Sequence, residues 1–272
     1  MWDDVCVAPD GDVYASASGG FGLGGGYYKQ TAGVGDFEAI QLTELIGLGS
    51  YIAAKSNGDM YATISFYDVL KQTGGEGTFD RLWTGEIAWH GITVVPNGDV
   101  YAACAGTGAY GDIYRFANGA LPKIPLSQTK RGYEGMSSNA DGDIYIVVNG
   151  GGIYKKPAAE NDFVSLDQTT RLWWDVQCLP NGDVLATTQT QGIFRQTAGA
   201  GDFELIYPYR EDISPLYGLG CTADGDIYVC AHGGDIYMLY NEVLIMDFIG
   251  VPRFGKSALE VSFSPIETYV AE

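Results

Sequence analysis

Residues Trp89–Ala103 read WHGITVVPNGDVYAA, and this stretch decides the fold. A hydrophobic run from Ile92 to Val95 leads into Pro96-Asn97-Gly98-Asp99, and a second run follows from Val100 to Ala103. Two strand-forming runs separated by Asn-Gly mark a β-hairpin. The dipeptide predicts a type I′ turn, in which both central residues take positive φ.

The hairpin recurs along the chain. Gly-Asp before an aliphatic residue, usually followed by Tyr, stands at Gly11-Asp12-Val13-Tyr14, Gly58-Asp59-Met60-Tyr61 and Gly98-Asp99-Val100-Tyr101. It returns at Gly142-Asp143-Ile144-Tyr145, Gly182-Asp183-Val184-Leu185 and Gly225-Asp226-Ile227-Tyr228. The aspartates are 47, 40, 44, 40 and 43 residues apart. The first unit reads as strand A over 5–8, a turn at Asp10-Gly11, strand B over 13–16, strand C over 27–30 and strand D over 37–41. Later units keep the order: Ile113-Tyr114-Arg115, Ile153-Tyr154-Lys155 and Ile193-Phe194-Arg195 are C strands, and Phe79, Phe163 and Phe203 open D strands. No segment has useful helical periodicity.

Four-stranded units at a period of about 40–45 residues are the signature of a propeller. B strands such as Val100-Tyr101-Ala102-Ala103 are apolar at successive positions, as expected for strands covered on both faces. The expectation is an all-β, six-bladed β-propeller of four-stranded antiparallel blades. Its units are about 1–44, 45–86, 87–128, 129–170, 171–210 and 211–247. Residues 248–272 are read as a C-terminal tail, an extra strand or docking segment built on the alternating Ala258–Phe263.

Composition narrows the function. The 272 residues carry 15 Lys plus Arg against 34 Asp plus Glu, a net charge of −19. Such an acidic surface repels a phosphate backbone and an anionic bilayer, so neither nucleic acid nor membrane insertion is expected. The longest apolar run, Val243 to Val251, is short and broken by Asp247, well below the roughly 18–20 residues of a span. No signal peptide is visible. The hydrophobic fraction of 46% is too high for disorder. The 39 glycines, about twice the usual frequency of about 7%, point to many tight turns. Five cysteines match no metal-binding spacing and read as free, buried thiols.

Three recurring features bear on function. The six turn aspartates could suggest calcium, but one per blade they cannot converge, and they are expected to bond the turn backbone. A basic residue recurs in strand C at Lys29, Lys71, Arg115, Lys155 and Arg195, with Met238 in the sixth unit. It is expected to pair with a nearby carboxylate. Ten residues before the turn aspartate stand Trp2, Trp89, Tyr133 and Trp173, with Tyr217 one residue later and Tyr51 two residues later in their units. These aromatics fall at the D–A loops, at one end of the central channel. They are either a packing layer or flat platforms for sugar rings. Asp3, His90 and Glu134 follow their aromatics by one residue. Gly91 and Gly135 follow by two, where the first and fifth units carry Asp4 and Asp175. His232 lies in a B–C loop on the same face. Asp4, Glu134, Asp175, His90 and His232 are thus candidates for a divalent-metal or acid–base site. The glycine-rich stretch 16–26 precedes a strand, not a helix, and so is read as a B–C loop that could present Phe21 and Leu23, not as a phosphate loop.

The run from Trp89 to Ala103, followed by Gly111-Asp112-Ile113-Tyr114-Arg115, resembles a blade of the tachylectin-type lectin propellers, and the strand order is similar to that of NHL-repeat propellers. The lectin resemblance implies N-acetylated sugars bound with Trp2, Trp89, Tyr133 and Trp173 at the matching positions. The chain departs from it in having six units in place of five, a less regular aromatic and higher acidity. Tyr28-Lys-Gln-Thr-Ala-Gly-Val-Gly-Asp-Phe, which returns from Phe194 to Phe203, resembles repeats of tailed-phage and environmental proteins and implies a virion or cell-surface setting. The leading expectation is a non-enzymatic recognition module for a glycan or glycoprotein, with no obligatory cofactor. The ligand-binding set is Trp2, Tyr51, Trp89, Tyr133, Trp173, Tyr217, Asp4, Glu134, Asp175, His90 and His232. The alternatives are a metal-dependent lyase or hydrolase at the channel mouth and a scaffold that docks through residues 248–272.

Overall fold

The structure is a computed structural model, and it describes residues 2–18, 25–40, 42, 49–65, 68–85, 88–105, 111–209, 215–232, 234–240 and 243–248. The first sheet is β1 (Trp2–Val7), β2 (Val13–Ala17), β3 (Gly26–Gln30) and β4 (Glu38–Ile40). The second is β5 (Gly49–Ala54), β6 (Met60–Ile64), β7 (Asp68–Gln72) and β8 (Asp80–Thr84). The third is β9 (Trp89–Val94), β10 (Val100–Cys104), β11 (Ile113–Phe116) and β12 (Lys123–Pro125). The last is β21 (Leu216–Cys221), β22 (Ile227–Ala231), β23 (Ile236–Tyr240) and β24 (Val243–Phe248). Each is a four-stranded antiparallel meander in chain order.

Between the third and last sheets lie β13 (Tyr133–Ser138), β14 (Ile144–Gly151), β15 (Ile153–Lys156) and β16 (Val164–Ser165). They are followed by β17 (Arg171–Cys178), β18 (Val184–Thr188), β19 (Gly192–Gln196) and β20 (Glu204–Pro208). These eight strands form one sheet. The expectation of six separate blades is corrected here: four sheets stand alone, and the units over 129–170 and 171–210 are continuous. The cause is length. β14 and β17 run to eight residues each, past the blade edge, so that Asn149 pairs with Leu172 and Gly151 with Arg171.

The innermost strands pack in cyclic order, β1 on β5, β5 on β9, β9 on β13, β13 on β17, β17 on β21 and β21 back on β1. This closed ring gives the β-propeller arrangement. The second strand of a unit is covered on both sides: β2, β6, β10 and β18 are buried at every position. The tail beyond Phe248 and the loop residues 19–24, including Phe21 and Leu23, lie outside the described residues.

The turn between the first two strands differs from the type I′ expectation. Gly11 N–H donates to the Ala8 carbonyl at 3.0 Å, and only the glycine has positive φ, 89°. Proline at the second place, as in Pro9, favours a turn with ordinary φ at its centre followed by a left-handed glycine. The residue before the glycine uses its side chain instead: Asn57, Asn97 and Asn181 each accept from the turn aspartate N–H.

The turn aspartates tie two turns together. One oxygen of Asp12, Asp59, Asp99 and Asp183 accepts the N–H of Ala32, Gly74, Asn118 and Ala198, respectively, at 2.7–2.9 Å. Ala32, Asn118 and Ala198 sit at φ of 50–52°, which disfavours a side chain, and the aspartate bond holds them there. The other oxygen meets the strand-C cation: Lys29, Lys71, Arg115, Lys155 and Arg195 reach Asp12, Asp59, Asp99, Asp143 and Asp183 at 2.6–3.0 Å. All five cysteines are free.

Burial pushes the Asp59 carboxyl up, but the Gly74 N–H, the Lys71 ammonium and Asn57 outweigh it and hold it below its usual range. A carboxyl lowered in the fold stabilises above its unfolded pKa of about 4 and loses that contribution as pH falls below it. Asp59→Ala is therefore expected to lose about 1–3 kcal/mol at pH 7. Urea melts should show the gap to wild type narrowing at pH 3.

Candidate functional site

Every innermost strand of the ring carries a register break near its start. It falls between Trp2 and Asp4, Gly49 and Ile52, Tyr133 and Met136, Trp173 and Val176, and Leu216 and Leu219, and at the matching place opposite Ala102 and Cys104 in β9. A bulge re-aims the side chains around it. Three successive positions then have three different surroundings.

The first position holds Trp2, Gly49, Trp89, Tyr133, Trp173 and Leu216. Trp89 and Tyr133 are 0% exposed, Trp173 1% and Trp2 5%. Each Trp lies against the third strand of its own blade: Trp2 meets Tyr28 edge-on at 5.2 Å, Trp89 meets Tyr114 at 5.4 Å, and Trp173 meets Phe194 at 5.2 Å. Trp89 also meets Trp83 of the preceding blade at 5.2 Å. The polar tips pin the incoming loop: Trp173 Nε1 donates to the Thr169 carbonyl at 3.2 Å and Tyr133 Oη to that of Thr129 at 2.6 Å. These four aromatics are the packing layer. Sugar platforms need exposed faces, whereas all four rings are buried, the tryptophans against neighbouring rings and Tyr133 in a hydrophobic cluster with Tyr101 and Ile146.

The second position holds Asp3, Ser50, His90, Glu134, Trp174 and Tyr217 and faces the channel mouth. Tyr217 belongs here and not with the buried tryptophans. Trp174, which the sequence reading passed over, stacks on Tyr217 at 4.2 Å and 24°. Tyr217 stacks in turn on His232 at 4.4 Å and 30°. All three rings are half-buried. His90 Nδ1 lies 2.5 Å from Glu134 Oε2, and His232 Nδ1 lies 3.8 Å from Asp3 Oδ1, which also accepts from Ser18 at 3.0 Å. Strand-B hydroxyls anchor these residues through their backbone: Ser16, Thr63 and Thr187 donate to the carbonyls of Ser50, His90 and Tyr217 in the following unit.

The third position points at the next strand of the ring. A Cβ on Gly91 would strike the Glu134 carbonyl, one on Gly135 would strike Asp175, and one on Gly218 would strike the Asp4 backbone. Where a side chain is present it enters the channel. Asp4 Oδ2 accepts from Ile52 N–H at 2.9 Å, and Asp175 Oδ2 from Leu219 N–H at 2.7 Å. Tyr51 crosses the axis and its hydroxyl donates to the Trp174 carbonyl at 3.3 Å. Below it, a cavity of about 160 Å³ runs past Asp4, Asp175, Ser137 and Gln177.

Burial, and then the Asp175 charge, push the Asp4 carboxyl well up. Burial pushes Asp175 up to about 8, with the Leu219 and Val176 N–H groups opposing and Glu134 adding. Tyr51 is pushed well up by burial and by Glu134, Asp175, Asp4 and Asp3 around it. Among the described residues, no three His, Cys, Asp or Glu side chains converge in an arrangement that would hold a metal ion. The five polar candidates are instead divided. His90 with Glu134 and His232 with Asp3 form two pairs at the mouth, and Asp4 with Asp175 lie in the channel.

Raising a carboxyl in the fold has the opposite sign to lowering it. The group stabilises relative to its ionised state only below the unfolded pKa of about 4, and stability is lost as pH rises from there toward the folded value. Asp175→Asn keeps an acceptor for Leu219 and removes that loss. Its melting temperature should exceed wild type by a few degrees at pH 8 and match it at pH 4, as read by thermal melts.

No protein-family model matches the chain, and no curated protein is similar to it in sequence. Solved structures are similar to it in fold. A chain of the nidogen–laminin complex superposes with a TM-score of 0.65 at 15% identity, covering 80% of this chain and 84% of that one. A catalytically inactive histidine-to-alanine virginiamycin B lyase from Staphylococcus aureus, with quinupristin, gives 0.64 at 14%, covering 92% and 85%. The WD40 β-propeller domain of Doa1 gives 0.64 at 12%, covering 89% and 79%. At these identities the likeness establishes the propeller fold.

Proposed function

We propose that the protein is a non-enzymatic recognition module, a ring of six repeat units whose channel mouth binds a carbohydrate, in a cell-surface or virion setting. The observation that supports this reading is the half-buried stack of Trp174, Tyr217 and His232. Aromatic edges and outer faces of this kind suit the C–H face of a sugar. Asp3 and Glu134 stand beside the stack and can accept sugar hydroxyls, since carboxylate acceptors make the stronger hydrogen bonds. The glycan surface is thus carried by Trp174 and Tyr217, with Trp2, Trp89, Tyr133 and Trp173 supporting the fold beneath.

A second reading rests on His90. A carboxylate 2.5 Å from Nδ1 fixes the imidazole and leaves Nε2 for proton transfer, the arrangement of a general base. This reading makes the mouth an acid–base lyase or hydrolase site.

A glycan-array screen of the full chain, run with calcium and with a chelator, separates the readings. Selective binding that falls about tenfold or more in Trp174→Ala and Tyr217→Ala, with the melting temperature held, supports recognition. A blank array sinks it. Turnover of a bound glycan that is lost in His90→Ala would favour the enzyme.

A further inference from the structure

Away from the mouth, the turn end of the ring carries a second asymmetry. In five units the tyrosine two places after the turn aspartate reaches the following unit. Tyr14 Oη donates to the Gly75 carbonyl at 3.1 Å. Tyr61, Tyr145 and Tyr228 lie against Gly119, Gly199 and Gly33, and Tyr101 lies beneath the Lys156 ammonium at 5.6 Å. In the fifth unit the residue is Leu185, which packs in the seam between the fifth and sixth units with Ile193, Leu219, Val229 and Leu239. Leucine is shorter than tyrosine and has no aromatic face. A cavity of about 480 Å³ opens beside it, walled by Leu185, Ile193, Ile206, Ile227 and Leu239.

Two polar residues of the lining define the occupant. The first is Arg195. Across the strands it stands opposite Leu185, as Lys29 stands opposite Tyr14, Lys71 opposite Tyr61 and Lys155 opposite Tyr145. In those three units the ammonium lies 5.1–5.6 Å from the centre of the tyrosine ring, a cation–π distance. Arg195 keeps the other half of the arrangement, with Nε 2.9 Å from Asp183 Oδ2, but its cross-strand neighbour is aliphatic. The second is Tyr207, whose hydroxyl is buried and has no hydrogen-bond partner among the described residues. A buried hydroxyl left unpaired costs free energy that a ligand oxygen would recover. An apolar chamber of several hundred Å³ with a few convergent polar groups is the usual form of a small-molecule site.

We infer that this seam binds a phenol, uncharged at neutral pH, whose ring takes the place beside Arg195 that tyrosine holds in other units and whose oxygen accepts from Tyr207. The aliphatic walls cover the remainder of the ring system. Asp183 and Arg195 balance each other, while Asp224 and Asp226 in the same lining oppose an anion. The site is separate from the channel mouth and does not depend on what binds there.

The test uses the full chain and 2-naphthol, with decahydro-2-naphthol as its saturated match and 2-naphthoate as its anionic one, by titration calorimetry. 2-Naphthol should bind. The saturated match should bind about fivefold or more weakly for want of a π face, and the anion about tenfold or more weakly. Leu185→Tyr installs the residue that five units use and should abolish binding with the melting temperature held. Tyr207→Phe removes only the unpaired hydroxyl and should weaken 2-naphthol about fivefold; it decides the matter if Leu185→Tyr does not fold. Trp174→Ala, at the mouth, should leave the affinity unchanged. The inference is overturned by no 2-naphthol binding up to millimolar concentration, by equal binding of the three probes, or by unchanged binding in a folded Leu185→Tyr or Tyr207→Phe variant. Loss of binding in Trp174→Ala would overturn it in favour of the mouth. Binding that appears only after residues 249–272 are removed would overturn it in favour of the chain's own terminus.

Discussion

The close approach of neighbouring inner strands at one residue per unit governs the rest of the ring. Where that residue is glycine, the next strand lies where a Cβ would be, so Gly91, Gly135 and Gly218 admit nothing larger without moving backbone. Where it is not glycine, the side chain must turn into the channel. Asp4 and Asp175 do so and take up an N–H of the neighbouring strand; Tyr51 does so and spans the axis. The same bulge sends the preceding residue to the mouth and the one before it into the blade. A single backbone device thus sorts three consecutive side chains into core, mouth and channel.

The turn end is held by a different interaction with the same economy. In four units one aspartate caps a left-handed residue of the outer turn and pairs with the strand-C cation, and in five units the tyrosine two places on closes the seam to the next unit. The ion pairs are partly exposed and individually weak. Their role is to fix two turns in register, so that the tyrosine hydroxyl meets the glycine of the next blade. Replacing the ring by Leu185 therefore changes the seam between the fifth and sixth units, and the missing cation at Met238 changes the next seam, between the sixth and the first.

Much of this was legible in the sequence. Period, strand order, turn aspartates and strand-C cations all follow from residue type and spacing, because each interaction is local or repeats at a fixed offset. Four things were not. Asn-Gly suggested a turn with two positive φ values, but the prolines at Pro9, Pro96 and Pro180 and the asparagine side-chain bonds favour a turn with one. The length of β14 and β17, which joins two units, depends on how their edges meet in space. The mouth residues were displaced by one position, because an inserted bulge residue leaves no mark in spacing: Trp173 and Trp174 are adjacent and identical, yet one is core and the other mouth. Tyr217 and Tyr51 read as late members of an aromatic column for the same reason, when each belongs to a different position of the bulge. The polar candidates read as one donor set because they share a face, whereas their three-dimensional neighbours divide them in pairs.

Because the chain contains several versions of one unit, its departures from the repeat can be located without any relative. They are not scattered. Trp174 and Leu185 lie in the unit over 171–210, and Tyr217, His232 and Met238 in the unit over 211–247. At the mouth end this sector presents a ring stack where the other units offer Asp3, Ser50, His90 and Glu134. At the turn end it presents an open seam where the other units close with tyrosine. At the turn end a repeat that needed only to fold would keep its own consensus, since Leu185 and Met238 each forfeit an interaction that five other units retain. Both turn-end losses fall on strands that stay paired within their sheets, Leu185 of β18 opposite Arg195 of β19 and Met238 of β23 opposite Tyr228 of β22, so the ring tolerates them. One sector is freed from the packing duties of the repeat at both ends, while the opposite units carry the closed form of the architecture.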